Sequence, residues 1–333
     1  MTLAEVQAME LKQLWARSWH PIAHASELKE HGDYVCLPWC NDEEVVATNV
    51  NGKIIVFNNI CPHRGSRIFR SSRGKQNFTC PYHGWSYDGN KYHVPCQEDF
   101  DNIPTELSGK ILSEWIGDFL YACPLDSSID TILQFPGELS LIIQTLPKMQ
   151  FHSELLLIYD CDWKVAVENS LENYHVRLIH KDSIGKMQIK HRMSKLYPSG
   201  SSLESFSIDD QRMKNMLDSM LDNFGGMSFK QPFEYIHMHL FPFSALSSTY
   251  GYTWSLQHYF PRTDGRTYFI SRLYTAIPDN EKITEDFFNS AARFNEQVFK
   301  EDAQICQFVR PNHLSNLGKQ EERVRHFRKY FSM

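Results

Sequence analysis

The chain has 333 residues, a formal net charge of -6 at neutral pH and a pI near 6.2. This length is enough for one large domain or two ordinary ones. The acidic balance argues against a nucleic acid as a partner, and no apolar run approaches the length of a membrane span, so we expect no membrane partner either.

The eight cysteines are even in number, but their scattered positions form no recognisable disulfide framework. Scattered cysteines in a chain of this length are typical of reduced thiols in the cytosol. The first residues mix charged and apolar side chains and lack the apolar core of a secretory signal. We therefore expect a cytoplasmic location.

The first third of the chain is predicted to begin with a helix and continue as antiparallel strands. Residues 1–18 have the apolar spacing of a short amphipathic helix. Short runs of β-branched and aromatic residues predict strands through residues 19–125, with Asn51-Gly52 as a hairpin turn. Pro and Gly residues between positions 124 and 150 indicate a connection between two domains.

Four potential metal ligands stand in two short loops. Cys61 and His63 form a C-x-H pair, and Cys80 and His83 form a C-x-x-H pair after sixteen intervening residues. A zinc site usually pairs its ligands as C-x-x-C and H-x-x-x-H. One thiolate and one imidazole in each loop instead suit a [2Fe–2S] cluster with both thiolates on one iron and both imidazoles on the other. The spacing therefore favours an iron–sulfur cluster over zinc.

These loops resemble the Rieske domain. In the Rieske proteins of respiratory cytochrome complexes, the corresponding loops are similar to C-T-H-x-G-C and C-P-C-H-G-S and contain an extra cysteine pair that forms a disulfide. This chain has Ser66 and Tyr82 at the corresponding positions. The resemblance is therefore to the ferredoxin or oxygenase branch, in which the cluster carries electrons and does not choose a substrate.

The second half of the chain is predicted to be α+β. A helix is expected to begin near Trp163, strands rich in aromatic residues occupy 233–276, and a long helical period runs over 282–309. Beyond Pro311 the tail is basic and polar, and we expect it to pack outside.

His175 and His180 are candidate metal ligands with an awkward spacing. Five helical residues place two rings roughly 140° apart. Binding of one metal by both therefore requires the helix to end or loosen between Val176 and His180. Ordinary helix histidines are the alternative for this stretch taken alone.

A carboxylate from the long helix would complete the site. A protein with an electron-carrying cluster needs somewhere to send its electrons, and two histidines with one carboxylate form the O2-activating facial triad of non-haem Fe(II). Asp302 falls within the apolar stripe of the helix, where a carboxylate is costly unless it is paired or binds a metal. Asp302 is the predicted third ligand, and Glu301, at the edge of the stripe, is the alternative.

With these motifs, the chain resembles over nearly its whole length the catalytic alpha subunit of Rieske non-haem iron oxygenases. The motifs are C-P-H-R-G with C-P-Y-H-G-W, then D-W-K-V-A-V-E-N-S-L-E-N-Y-H-V-R-L-I-H, and E-D-A-Q-I-C. The resemblance implies an all-β Rieske [2Fe–2S] domain over 19–125 and a catalytic domain over 126–333 with a helix-grip antiparallel sheet. It implies a cluster and a mononuclear Fe(II), with these ligands: Cys61, His63, Cys80 and His83 for the cluster, and His175, His180 and Asp302 for the iron.

The resemblance also implies a head-to-tail homotrimer, in which the cluster of one subunit feeds the iron of its neighbour. His83 would hydrogen-bond to Glu172 of the partner subunit, and Glu172 to His175; the i,i+3 spacing of Glu172 and His175 predicts that they share a helix face. Most of the family has Asp at the position of Glu172. Glu there resembles the branch that acts on quaternary ammonium compounds, such as choline monooxygenase and carnitine oxygenase.

The predicted substrate pocket rests on strand periodicity. Alternation puts His237, His239 and Phe241 on one face, and Tyr252 and Trp254 are further candidates for the lining. Aromatic residues here would form a cage for a cationic head group through cation–π attraction, whereas the alternative is that they are ordinary core. The two histidines favour a polar or anionic group over a cation.

A chain of this length resembles the alpha-only members of the family, which hydroxylate one C–H bond or remove N- or O-methyl groups. We expect a terminal oxygenase that acts on a small molecule with O2. No Gly-rich nucleotide loop is visible, so NAD(P)H and flavin would act in a separate reductase or through a ferredoxin. The alternatives are a cis-dihydroxylating arene dioxygenase and a non-catalytic Rieske electron carrier with a ligand-binding domain.

Overall fold

The computed structural model describes residues 11–16, 18–39, 43–124, 137–186, 189–208, 211, 215, 235–277, 285–310 and 316–331. The chain divides into two compact units, Met1–Thr131 and Ile132–Met333. The predicted domain boundary at residues 125 and 126 lies outside the described residues. No helix in the described part of the chain is both long enough and apolar enough to span a bilayer.

The first unit is built from short antiparallel strands. Residues 11–16 are helical, and most of the remaining predicted helix lies outside the described residues. The described strands are β1 (His20–His24), β2 (Asp33–Pro38), β3 (Glu44–Val50), β4 (Lys53–Asn58), β5 (Arg73–Lys75), β6 (Ser86–Tyr87), β7 (Tyr92–His93), β8 (Leu112–Ile116) and β9 (Phe119–Cys123). They form a four-stranded sheet in the order β4-β3-β2-β5, a three-stranded sheet β1-β9-β8 and the pair β6-β7. Single turns of 3-10 helix occur at Ala25–Glu27 and Gln97–Asp99.

The hairpin between β3 and β4 confirms the predicted turn. Asn51 and Gly52 have φ angles of 54° and 84°, the left-handed values that a two-residue hairpin turn requires. The four-stranded sheet packs its apolar face on one aromatic core, in which the rings of Phe57 and Phe78 lie 4.7 Å apart. Cys61 and Cys80 belong to the same buried cluster, so the core also supports the two loops.

The second unit is an antiparallel sheet with a long helix. Its described helices are α1 (Gly137–Gln144), α2 (Trp163–Ser170), α3 (Val176–Ile179), α4 (Glu285–Cys306) and α5 (Glu322–Arg328), with 3-10 turns at Ile184–Lys186 and Lys319–Glu321. Its described strands are β10 (Met149–Tyr159), β11 (Ile189–Leu196), β12 (Ser202–Ile208), β13 (Tyr235–Leu240), β14 (Ser244–Thr249), β15 (Thr253–Pro261) and β16 (Thr267–Ala276). The sheet order is β10-β16-β15-β14-β13-β12-β11.

Helix α4 packs against this sheet through its apolar residues. The ring of Phe299 lies 4.7 Å from that of Phe269, and the hydroxyl of Tyr159 donates to the carbonyl oxygen of Phe299 at 2.9 Å. The long helix predicted over 282–309 ends at Cys306, so Val309 lies outside it and is half exposed. The α+β architecture with an antiparallel sheet and a long helix is confirmed.

The C-terminal tail corrects one expectation. The basic, polar composition beyond Pro311 predicted a segment that packs outside, but α5 buries Arg323, Val324 and Phe327. A fully buried arginine is stable only when its charge and its donors are matched. Glu204 on β12 supplies the matching carboxylate at 3.0 Å, and the sequence gives no local sign of this distant partner.

Candidate active site

The two cysteine–histidine loops have the same backbone construction. The amide of Gly65 donates to the carbonyl oxygen of Cys61 at 2.9 Å, and that of Gly84 donates to the carbonyl oxygen of Cys80 at 3.0 Å. Each cysteine amide in turn donates to the carbonyl of the residue after that glycine, at 2.9 and 2.7 Å. The glycines have φ angles of 72° and 74°, where any other residue would be strained. The glycines in the motif therefore close the two loops.

The four side chains of these loops lie close together. Cys61 and Cys80 are buried, whereas His83 is exposed. The ring centroids of His63 and His83 are 4.7 Å apart, and the ring of His63 stacks on Trp85 with a centroid distance of 5.0 Å and an angle of 4°. Burial raises the pKa of the Cys80 thiol, but hydrogen bonds from the Tyr82 amide and from Cys61 outweigh this effect and lower the pKa below its usual value. Burial instead raises the pKa of the Cys61 thiol, so of the two cysteines Cys80 is the one whose surroundings favour a thiolate, the form that binds metal.

The stretch with His175 and His180 is not one continuous helix. Asp162 caps α2 by accepting from the amide of Lys164 at 2.8 Å, and α2 ends at Ser170. The chain then runs without helical structure to His175, the N-cap of α3, and α3 ends at Ile179 with His180 as its C-cap. A five-residue spacing can therefore bring the two rings together, with centroids 5.2 Å apart.

His175, His180 and Asp302 converge. One potential ligand atom from each lies within 4.8 Å of the others. Oδ1 of Asp302 is 3.0 Å from Nε2 of His180 and 3.5 Å from Nε2 of His175. Asn169 on α2 holds the carboxylate by donating to the same oxygen at 2.8 Å. The structure thus brings the two histidines and the carboxylate of α4 to one place.

Two glutamates hold the outer sides of the imidazoles. Nδ1 of His180 contacts Oε2 of Glu301 at 2.7 Å, and the hydroxyl of Ser183 donates to the same oxygen at 2.7 Å. Nδ1 of His175 contacts Oε1 of Glu172. Carboxylates that accept from Nδ1–H leave the Nε2 lone pairs free to bind a metal, an arrangement common around metal-binding histidines. Glu301, the alternative third ligand, therefore lies behind His180 instead of beside Asp302.

The reason predicted for the Glu172–His175 contact is wrong, although the contact itself forms. Glu172 lies in the non-helical segment between α2 and α3, so helical i,i+3 spacing does not bring the residues together. Its carboxylate instead accepts from the amides of Tyr174 and His175, the latter at 3.2 Å. A local turn closed by the side chain therefore positions this carboxylate.

The charges of this group shift the titration of both histidines. Burial disfavours the imidazolium of His175, but hydrogen bonds to Asp302 and Glu172 outweigh burial and raise its pKa to about 9. The pKa of His180 is also raised, because contacts with Asp302 and Glu301 outweigh burial. Burial raises the pKa of Asp302, but both histidines lower it below its usual value. The group therefore combines an ionised carboxylate with two readily protonated imidazoles.

A cavity of about 160 Å³ adjoins these three residues. Sheet residues form one wall and α4 another. The wall from the sheet is largely polar: Glu204, Phe206, Ile208, Tyr235, His237, Ser247, Thr249, Ser255, Gln257 and Tyr259. An engineered protein cavity of roughly this size, 150 Å³, accommodates benzene. The space therefore suits a single ring or a compact aliphatic molecule.

Of the five predicted pocket residues, only His237 lines this cavity. His239 shares its strand face, but its ring lies 5.4 Å from Phe327 of α5, which covers that end of the sheet. Phe241 packs at 5.1 Å on Tyr330 in the same region.

The other two predicted pocket residues lie away from the cavity for local reasons. Trp254 alternates with the cavity-lining Ser255 and therefore faces the opposite side of the sheet. Tyr252 is buried in the turn between β14 and β15.

Sequence reasoning missed the contributions to the cavity of β12, of α2 and of the segment that follows α2. Asn169, Asn173 and Glu204 line it. Asn169 and Asn173 lie near Glu172 in the same motif as His175 and His180, so their polar side chains could have been predicted to line the site. Glu204 lies in a strand that the sequence did not predict, and its role depends on Arg323.

Two features define the class of this protein. The N-terminal unit carries two cysteine–histidine loops, and the second unit carries a group of two histidines and one carboxylate beside an antiparallel sheet. This pairing is typical of a two-domain iron protein. Residues 18–105 match the Rieske [2Fe-2S] domain family. Residues 145–332 match the family described as ring hydroxylating alpha subunit, catalytic domain. The chain belongs to the family of Rieske ring-hydroxylating alpha subunits.

Curated relatives are similar over part of their length. The anthranilate 1,2-dioxygenase large subunit of Acinetobacter baylyi is 26% identical over 243 residues, covering 69% of this chain and 50% of that protein. The carnitine monooxygenase oxygenase subunit of Escherichia coli strain K12 is 29% identical over 190 residues, covering 54% of this chain and 50% of that protein. The matched stretch thus spans about half the length of these relatives.

Solved structures share the fold. The quaternary ammonium Rieske monooxygenase CntA in complex with its substrate L-carnitine has a TM-score of 0.76 and 19% identity, covering 99% of this chain and 93% of that chain. Naphthalene 1,2-dioxygenase from Rhodococcus bound to indole has a TM-score of 0.71 and 18% identity, covering 98% and 91%. The cofactors of this domain pair are a Rieske [2Fe–2S] cluster and a mononuclear iron.

Proposed function

We propose that this chain is the terminal oxygenase component of a multicomponent Rieske system, which hydroxylates or oxidatively demethylates a small organic substrate. The observation that carries this proposal is the convergence of His175, His180 and Asp302 on the wall of a cavity of substrate size. An electron carrier has no need for such a group beside a cavity. Electrons would come from NAD(P)H through a separate flavin-dependent reductase or a ferredoxin.

The residues present fit both cofactors. Nε2 of His175, Nε2 of His180 and Oδ1 of Asp302 would hold Fe(II), which when bound supplies O2 activation. Glu172 and Glu301 would hold the two imidazoles in the metal-binding tautomer by accepting from Nδ1–H.

In the N-terminal unit, the buried thiols of Cys61 and Cys80 would bind one iron of the cluster. The imidazoles of His63 and His83, nearer the surface, would bind the other. We also infer from the scattered cysteines that the protein works in a reducing compartment such as the cytoplasm.

The raised pKa values predict how iron binding depends on pH. Protonated His175 offers no lone pair, so below pH 9 the metal must displace a proton from it. The apparent affinity for Fe(II) is therefore expected to increase with pH, by roughly tenfold per pH unit for each displaced proton, and to level off near pH 9. Anaerobic titration of iron-depleted protein checks this. An affinity that is constant between about pH 6.5 and pH 8.5 would contradict it.

We propose that electrons reach the iron from the cluster of a partner subunit in a homotrimer. A CntA structure is described as giving insights into inter-subunit electron transfer. In this chain His83 is exposed on the first unit. On the second unit Tyr174 and Leu178, near Glu172, are 72% and 80% exposed, an apolar surface suited to a protein contact. His83 would meet Glu172 of the partner subunit there, and Glu172 connects to His175.

The substrate is proposed to be small, and methylated or quaternary amines are the first class to test. Glu172 resembles the branch that acts on such amines, and the relatives include carnitine monooxygenase. The cavity of about 160 Å³ is of a size that suits such a small molecule. Cis-dihydroxylation of a single-ring arene is the second candidate, supported by the anthranilate dioxygenase relative.

The test starts from anaerobically purified protein, on which iron, acid-labile sulfide and the EPR spectrum of the reduced cluster are measured. About three irons and two sulfides per chain are expected, since the cluster and the mononuclear site are both filled. With a reductase added, methylated amines should yield formaldehyde, and an arene should yield a dihydrodiol if the second candidate is right. About two irons, not increasing on Fe(II) addition, would leave only the electron-carrier alternative.

A further inference from the structure

Arg323 of α5 reaches the wall of the cavity from behind. Its guanidinium is fully buried and donates to Oγ of Ser202 and Oε2 of Glu204, both at 3.0 Å. Its third contact is Nδ1 of His237 at 2.8 Å. A guanidinium has donors and no acceptor, so Nδ1 of His237 must be the acceptor of this hydrogen bond.

This contact fixes the tautomer of His237. A neutral imidazole that accepts at Nδ1 carries its proton on Nε2. Burial and the charge of Arg323 hold the pKa of His237 well below its usual range, so the ring is neutral near pH 7. Nε2 is buried and has no hydrogen-bond partner among the described residues. Such buried donors are rare in folded proteins because an unmade hydrogen bond is costly.

The neighbouring polar groups on the cavity wall already have partners. His237 lies between Glu204 and Ser247 in the sheet register. Glu204 accepts from Arg323, Arg192 and Asn173. The hydroxyl of Ser247 accepts from Gln257 at 2.9 Å. Nε2 of His237 is therefore a donor, unpaired among the described residues, on a ring that Arg323 holds in place, in a residue that lines the same cavity as the proposed iron ligands.

We propose that the Nε2–H group of His237 positions the substrate, and that the substrate class is defined by an acceptor oxygen (carbonyl, carboxylate or hydroxyl) bonded there. The proposal rests on the proposed function and narrows its substrate class. His237 would orient the molecule in the cavity, so that the carbon to be oxidised lies toward His175, His180 and Asp302. Arg323 would act through His237 by keeping the proton on Nε2.

Two probes that differ in one acceptor test this proposal. Acetophenone and α-methylstyrene have the same shape, but a methylene group replaces the carbonyl oxygen in the second. In equilibrium dialysis the wild-type holoprotein is expected to bind acetophenone on the order of tenfold more tightly, since the isostere leaves the donor unpaired. No binding of acetophenone at millimolar concentration, or equal binding of both probes, would overturn the proposal.

Two amide variants separate the two ring nitrogens. His237→Asn retains an acceptor for Arg323 in place of Nδ1 but has no donor in place of Nε2, so the preference for acetophenone should disappear. His237→Gln places an amide near the Nε2 position and should retain the preference. A preference for acetophenone that survives in His237→Asn would reject the role of Nε2. If His237 had only a structural role, each variant would bind both probes with equally changed affinity.

The iron content of the same samples distinguishes this proposal from the proposed function. Dialysis needs neither O2 nor a reductase. Protein that holds iron and oxidises a substrate, but does not prefer acetophenone, would reject only the assignment of His237. Protein that prefers acetophenone but does not hold the mononuclear iron would reject only the oxygenase function.

Discussion

Replacing Asp302 by asparagine is expected to remove the mononuclear iron while the cluster remains. The iron content should fall from about three to about two per chain, with unchanged sulfide, because the cluster ligands lie in the other unit. Oxidative turnover should be lost. Asparagine keeps the shape of the side chain and can still accept from Asn169, whose contact with Asp302 is 2.8 Å. Metal analysis and EPR of the reduced protein measure both outcomes.

The matched control is Asp286→Asn, in the exposed first turn of the same helix α4. This variant makes the same chemical change without touching the site, and it should retain about three irons. If Asp302→Asn also retained about three irons, Glu301 or another group would have to be the carboxylate ligand. That result would reject the ligand set and keep the domain assignment.

Replacing Glu172 by glutamine is expected to slow electron transfer between cluster and iron. A carboxylate can accept hydrogen bonds on both sides, from the imidazole of His175 and from that of His83, whereas an amide can accept at only one of its two ends. Reduced protein mixed with substrate and O2 should therefore oxidise its cluster roughly 10 to 100 times more slowly than wild type. Stopped-flow absorbance of the cluster records this rate.

Glu301→Gln is the matched control for this experiment. Glu172 and Glu301 each contact Nδ1 of a proposed iron ligand, so both changes are expected to weaken iron binding by roughly 10- to 100-fold. Only Glu172 is proposed to contact a partner subunit. At saturating Fe(II), Glu301→Gln should recover near-normal cluster oxidation and Glu172→Gln should not. Equal recovery of the cluster oxidation rate in the two variants would reject the proposed contact between Glu172 and the partner subunit. Glu172 would then only support His175.

The local parts of this protein could be predicted from the sequence. The loops that contain Cys61 and Cys80 depend on short spacings and on glycines with left-handed φ angles, and each loop closes on itself through its own backbone. The turn at Asn51 and Gly52 is equally local. The five-residue spacing of His175 and His180 required a break in the helix, and the chain has α3 ending at Ile179.

Tertiary packing decided which of several similar residues take part in the site. The sequence of a helix or strand shows in which direction each side chain points, but not which neighbouring element it meets. Asp302 and Glu301 are both acidic residues at the apolar side of α4. The position of His180 puts one carboxylate on its Nε2 side and the other on its Nδ1 side. His237 and His239 share a strand face, but His237 lines the cavity whereas the ring of His239 packs near Phe327 of α5.

The burial of α5 shows most plainly why this packing could not be predicted from the sequence. Its composition is basic, and in isolation a basic segment is more stable in water. Arg323 is buried because Glu204, 119 residues earlier in the chain, supplies a carboxylate at 3.0 Å and His237 supplies an acceptor at 2.8 Å. The sequence by itself determined the cofactor loops and the histidine pair through short-range spacing. The polar wall of the cavity depends on charges and acceptors that meet only after the sheet and α5 have packed together.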